Sequence, residues 1–108
     1  MSRNRGKQLK DKEDIKNLTK RERLLSKCFS LIFHLNNNQQ RYSIEYRGYM
    51  LILSKLNFDK REWEVLEEHN FTQMEYSKSA QVIHDINKHL YKELIKFTND
   101  IEWEDLDG

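Results

Sequence analysis

Proline is absent from this chain of 108 residues, and cysteine occurs once, at Cys28. A single sulfur excludes an internal disulfide and any zinc site built from several thiolates, and it suits a reducing compartment. The three glycines stand far apart, so the chain has no glycine-rich phosphate loop. These absences argue against a disulfide-stabilised extracellular domain and against an enzyme of the P-loop type.

Long hydrophobic runs are also missing. The most apolar stretch, 24–35, is interrupted by Lys27, Ser30 and His34, and it is too short and too polar to span a bilayer. No signal-peptide pattern is seen near Met1. We therefore expect a cytoplasmic protein with no membrane partner.

What the chain does contain favours helix. Leucine occurs 13 times and valine twice, and unbranched or γ-branched side chains lose less rotamer freedom in a helix than β-branched ones do. Charged residues make up 34% of the sequence, above the usual quarter. The length suits one domain with a small core and a highly charged surface.

Three segments show helical periodicity. Thr19 opens a capping-box pattern, and the helix that follows repeats apolar residues on one face, namely Leu24, Cys28, Leu31 and Leu35. Asp59 is a favourable N-cap for a helix over Lys60–His69, with Trp63 and Leu66 facing inward. The last helix starts near residue 77 and repeats Ala80, Ile83, Ile86, Leu90, Leu94 and Phe97.

Residues 42–56 fit two structures. Tyr42, Ile44 and Tyr46 alternate with polar residues, which indicates a strand, whereas the spacing of later apolar residues fits a helix equally well. We favour the helix because the flanking segments are helical. The sequence then predicts an all-α protein: a small bundle of about four helices, more than half helix, with little or no sheet. A hairpin over 42–54 is the alternative.

Charge divides the chain into three parts. Residues 1–27 carry a net charge of +6 and residues 28–108 a net charge of −5. We predict a flexible basic arm over 1–18, a helical domain over 19–98 and an acidic tail over 99–108. The arm can bind phosphates by releasing counterions, or it can be a solubilising terminus. Its candidate contacts are Arg3, Arg5, Lys7 and Lys10.

The acidic tail has two candidate protein-binding residues, Trp103 and Leu106. Their spacing suits a short segment that docks in an apolar groove with a basic rim. The alternative is a helix end that folds back onto the core, and we favour that alternative.

Catalysis has little support. Asp85, His89 and Glu93 share one helical face and could bind a metal or transfer protons, but metal sites usually take ligands from more than one element. An ordinary solvated face is the interpretation that we favour. We predict no enzymatic activity, no metal and no cofactor.

Two clusters of basic residues could bind nucleic acid. Lys88, Lys92 and Lys96 form a stripe that could follow a phosphate backbone, although a plain solvent face is the commoner reason for such a stripe. Aromatic and basic residues alternate near position 45, which can bind single strands, although we favour a half-buried core for them. These residues are Arg41, Tyr42, Tyr46, Arg47 and Tyr49.

Two short motifs carry a family resemblance. The motifs are Trp63-Glu64-Val65-Leu66 and, opening the next helix, Tyr76-Ser77-Lys78-Ser79. Residues 40–97 thereby resemble the helix-turn-helix of sigma factors, and most closely that of small late-transcription activators of phages of low-GC bacteria. The resemblance implies that the second helix reads DNA in the major groove. The implied reading residues are Lys78, Gln81, His84 and Lys88, with Lys92 following on the same helix.

We therefore expect a small nucleic-acid-binding regulator of the phage or mobile-element type that acts in transcription and binds DNA rather than RNA. The alternative is a small phage-type inhibitor or adaptor that binds a host protein complex, such as a polymerase or defence machinery that processes nucleic acid. The net charge of only +1 favours this alternative, because dedicated DNA-binding domains are usually strongly basic. Either function is compatible with a homodimer.

Overall fold

The computed structural model describes residues 5–106, with side chains for residue 12, residues 15–104 and residue 106. A long helix precedes a three-stranded antiparallel sheet, which is followed by a second helix and a 3₁₀ turn. The elements are α1 (Arg5–Asn37), β1 (Tyr42–Arg47), β2 (Met50–Asn57), β3 (Glu62–Asn70), α2 (Tyr76–Leu94) and η1 (Trp103–Leu106). About half of the chain is helix and a quarter is strand, so the predicted all-α bundle is wrong and the fold is α+β.

The first hairpin replaces the helix that we favoured over 42–56. Its strands, β1 and β2, are joined by Gly48 and Tyr49, which both have positive φ, at 56° and 69°. Two left-handed residues form the tight turn whose twist matches that of antiparallel strands. The hairpin alternative is therefore confirmed. Side chains of β1 alternate between a more buried and a more exposed face, and the more buried set is Tyr42, Ile44 and Tyr46.

The segment predicted as the helix Lys60–His69 is also a strand. Asp59 is no N-cap: it lies in the turn between β2 and β3, where Asn57 Oδ1 accepts hydrogen bonds from the backbone N–H groups of Asp59 and Lys60, both at 3.1 Å. β3 then pairs antiparallel with β2, with a bulge opposite Leu53 and Ser54. Glutamate-rich segments favour helix locally, and here pairing with β2 overrides that preference.

The two helices agree better with the sequence. α1 begins at Arg5, well before the Thr19 cap that we predicted; among the residues of α1 with described side chains, the buried ones start at Arg21. α2 has its predicted apolar face buried: Ala80, Ile83, Ile86, Leu90 and Leu94. Phe97 lies beyond the end of α2 and is exposed. Neither helix, over the residues that are described, combines the length and apolar content needed to cross a bilayer.

The core lies where α1 and α2 pack against each other and against the inner face of the sheet. Asn87 of α2 is fully buried, and its Nδ2 donates to the carbonyl oxygen of Leu24 in α1 at 2.9 Å. Leu51 and Leu53 of β2 are the sheet's deepest side chains. This arrangement buries one face of α2 and leaves the opposite face in solvent.

We expect Cys28 to be inert to thiol reagents in the folded protein. Burial raises the pKa of its thiol from 9.0 to about 12, and the nearby Glu67 carboxylate adds to the increase. Since only the thiolate reacts, and access is blocked as well, alkylation by iodoacetamide near neutral pH should be at least about a thousandfold slower than in the unfolded chain. Mass spectrometry with and without urea measures both rates. Equal rates would contradict the burial of Cys28.

Candidate nucleic-acid interface

The outward face of α2 carries the residues that the sequence singled out on this helix. Lys78, Gln81, Lys88 and Lys92 are exposed, and His84 is half-buried. They lie opposite the buried apolar face because the helix turns once every 3.6 residues. Residues 63–66, which the resemblance matches to the first helix of a helix-turn-helix, lie in strand β3. In this structure the polar face of α2 is therefore not accompanied by a helix formed by residues 63–66.

The segment after α2 folds back across this face. The Tyr91 hydroxyl donates to the carbonyl oxygen of Ile101 at 3.3 Å, and Leu106 is 2% exposed within the core. Leu106 is thus unavailable as the protein-binding anchor that we considered. At Leu106 the tail folds back onto the core, which is the interpretation that we favoured.

Trp103 is held on α2 by two aromatic side chains. Its ring lies edge-to-face with His84 at 6.0 Å and with Tyr91 at 5.4 Å between ring centroids. Such perpendicular pairs are the favoured geometry for rings with a negative face and a positive edge. Trp103 is half-buried by these contacts, so part of its surface remains accessible.

A lysine from α1 completes the cluster. Lys27 Nζ lies 4.1 Å from the centroid of the Trp103 ring, although the residue is only 5% exposed. An ammonium group over an indole face is attracted by the electrons of the ring. Lys27 thereby fixes the tryptophan against the junction of the two helices.

These contacts surround a shallow pocket of about 330 Å³. The surface inside it is almost entirely apolar, so the two lysines line it mainly with their methylene chains; the lining residues are His84, Lys88, Tyr91, Lys92 and Trp103. Aromatic surface next to cations suits a ligand that has flat rings joined to phosphates. We refer to these five residues as the tryptophan groove.

The charges along the face are not all equally available. The Gln81 amide donates to Asp85 at 3.0 Å, so a base can bind Gln81 only if this contact opens. Lys96, the third lysine of the predicted stripe, pairs with Glu93 at 3.0 Å. Within the described residues neither Lys88 nor Lys92 is ion-paired. Lys78, on the same face, has no ion pair with a described residue either, so three cations of this face are available to phosphate.

The other candidates are placed less informatively. Arg3 lies outside the described residues, as do the side chains of Arg5, Lys7 and Lys10, whose backbone belongs to α1. Asp85, His89 and Glu93 are no metal cluster, since no group of three or more possible ligands is found among the residues described.

The mixed basic and aromatic cluster near position 45 mostly serves the hairpin. Tyr42 is buried, and the Tyr46 ring lies 6.0 Å from that of Phe71. Tyr49 is exposed in the turn, and Arg47 pairs with Glu45. These residues form no continuous surface on which bases could stack.

Sequence reasoning missed two members of the site, Lys27 and Tyr91. The available signal for Lys27 was a charged residue inside an otherwise apolar helical face, and we had used it only to exclude a membrane span. Tyr91 gave no signal, because its role depends on a tail that returns to α2 from ten residues farther along.

Comparison with known proteins adds no identification. No family model, no curated protein and no solved structure matches this chain. The function therefore has to be inferred from the chemistry of the tryptophan groove and of the surfaces around it.

Proposed function

We propose that this protein is a small DNA-binding regulator that places the outward face of α2 against the nucleic acid. The observation that carries the proposal is the tryptophan groove, where Lys88 and Lys92, which form no ion pair with a described residue, lie beside a partly accessible indole. A phosphate near the two lysines and a base or sugar against Trp103 would satisfy both halves of the groove.

The rest of α2 extends the contact. Lys78 is exposed on the outward side of α2 and stands roughly 21 Å from Lys92 along the axis, at 1.5 Å per residue. A strand of DNA running along the helix could therefore meet cations at both ends. Gln81 lies between them, and it is our candidate for a contact to a base edge once Asp85 releases it.

The distribution of charge supports the choice of face. β3 carries Glu62, Glu64, Glu67 and Glu68 and no basic residue, so this strand would repel phosphates. α2 carries Lys78, Lys88 and Lys92 on its exposed side, opposed by Asp85 and by Glu102 and Glu104, which flank Trp103.

Trp103 offers a direct test. The chain has two tryptophans, so Trp63→Phe leaves Trp103 as the sole indole reporter. We expect its fluorescence to be quenched when duplex or single-stranded DNA is added at low salt, and the quenching to weaken as salt is raised. Affinity weaker than about 10⁻⁴ M at low salt, below ordinary non-specific binding, would rule out the proposal.

A further inference from the structure

The outer strand of the sheet, β3, is open along its far edge. In the described chain it pairs with β2 on one side and with nothing on the other, and each of its nine residues is at least partly exposed. Sheet edges offer unpaired backbone N–H and C=O groups, and natural proteins usually shorten or cover them. A nine-residue edge without proline can therefore accept another strand.

One side of this edge is apolar. In the register of the sheet, Trp63 lies opposite Leu56 and Val65 opposite Ser54, which puts both on the face away from the core residues Leu51 and Leu53. Trp63 is 53% exposed and Val65 is 59% exposed. No described element covers them, and large exposed apolar side chains that lie together are typical of interaction sites.

The other side of the same edge is acidic. Glu62 and Glu64 alternate with Trp63 and Val65, so they point to the opposite face of the strand. Beyond the bulge Glu67, opposite Leu53, stays on this side, whereas Glu68, opposite Ile52, lies on the side of Trp63 and Val65. Pairing with a second copy of β3 would bring glutamates together, and like charges across strands are destabilising. The edge is therefore badly suited to self-association.

We infer that the edge of β3 is a binding site for an extended segment of a partner protein in which lysine or arginine alternates with apolar residues. Such a segment would add a fourth strand through backbone hydrogen bonds. Its apolar side chains would lie beside Trp63 and Val65, and its cations beside Glu62 and Glu64. This site is separate from the tryptophan groove, and its glutamates disfavour the binding of nucleic acid.

The test uses a synthetic peptide that alternates lysine and valine and has the length of β3. We expect saturable binding to the full chain in calorimetric titration. Glu62→Lys together with Glu64→Lys should weaken binding roughly tenfold or more, because two attractive pairs become repulsive. The control, Glu22→Lys together with Asp100→Lys, makes the same change of charge at two other exposed positions and should leave the affinity within about twofold.

Backbone pairing is tested with modified peptides and the unmodified protein. This second experiment therefore does not depend on whether a protein variant folds. Methylating alternate amide nitrogens of the peptide on its pairing edge removes hydrogen-bond donors and should abolish binding, whereas methylation on the other edge should be tolerated. A scrambled peptide with its lysines grouped should bind weakly.

Three results would overturn the inference. One is no saturation at about 1 mM peptide. Another is equal binding by the methylated, scrambled and alternating peptides, which would show attraction of charge alone. The last is self-association of the protein that is lost on Trp63→Lys, which would assign the edge to a second copy.

Discussion

Replacing Leu90 by alanine should lower the free energy of unfolding by roughly 2–5 kcal/mol, and the same change at Leu31 should cost a similar amount. Both side chains are 0% exposed, one on each helix of the core. Removing either leaves a cavity at the contact of α1 with α2, and the lost transfer energy of the side chain adds to the cost of that cavity. Urea denaturation followed by circular dichroism measures the change.

The expected loss of unfolding free energy is large because the protein has a single small core. The core has one helical layer against the inner face of a three-stranded sheet, so no second core can compensate for a cavity. Val65→Ala is the matched control on β3: its side chain is mostly exposed, and we expect a change within about 0.5 kcal/mol. An unchanged unfolding midpoint for both leucine variants would show that the core lies elsewhere.

The sequence predicted the helices better than the sheet, for a physical reason. The apolar residues of α2 recur every three or four positions over its length, and only a helix gathers them on one face. In residues 42–56 the apolar side chains fit both periods. Gly48 was the available evidence for a turn there, and it was outweighed by the helical neighbours.

β3 could not have been assigned from its own residues. Glu62, Glu64, Glu67 and Glu68 favour helix or solvent, and neither face of the strand is buried. Its structure depends on pairing with β2, which is itself held by its contacts with β1 and the core. A strand stabilised mainly by a neighbour on one edge leaves little hydrophobic pattern in the sequence.

The residues of the candidate site also fall into a predictable and an unpredictable group. Lys88, Lys92 and His84 were predictable because they share a helix, and helical spacing alone puts them on one face. Their meeting with Trp103 and Lys27 was not predictable, since it joins α2 to a tail that reverses direction and to a residue more than fifty positions earlier in the chain. Periodicity says which face a residue occupies and does not say what folds over that face.

The two lysines of the tryptophan groove should account for a measurable share of the salt dependence of DNA binding. Each phosphate that is neutralised contributes about −0.9 to the slope of log affinity against log salt for duplex DNA, and about −0.7 for a single strand. Lys88→Ala together with Lys92→Ala should therefore flatten the slope by about 1.8 for duplex or about 1.4 for single-stranded DNA. Fluorescence titration at several salt concentrations gives both slopes.

Two further variants separate charge from stacking. Lys60→Ala removes an exposed lysine in the turn between β2 and β3, far from α2 in the chain, and should leave the slope unchanged. Trp103→Phe, followed with dye-labelled DNA because the indole reporter is lost, should weaken binding without changing the slope, since loss of a stacking partner releases no ions. If the arm also binds phosphates, replacing Arg3, Arg5 and Lys7 by alanine should flatten the slope by a further 2–3 units or so. If the double lysine variant instead kept the wild-type slope while these three arm substitutions removed most of it, DNA would bind through the arm, and the groove would have no part in it.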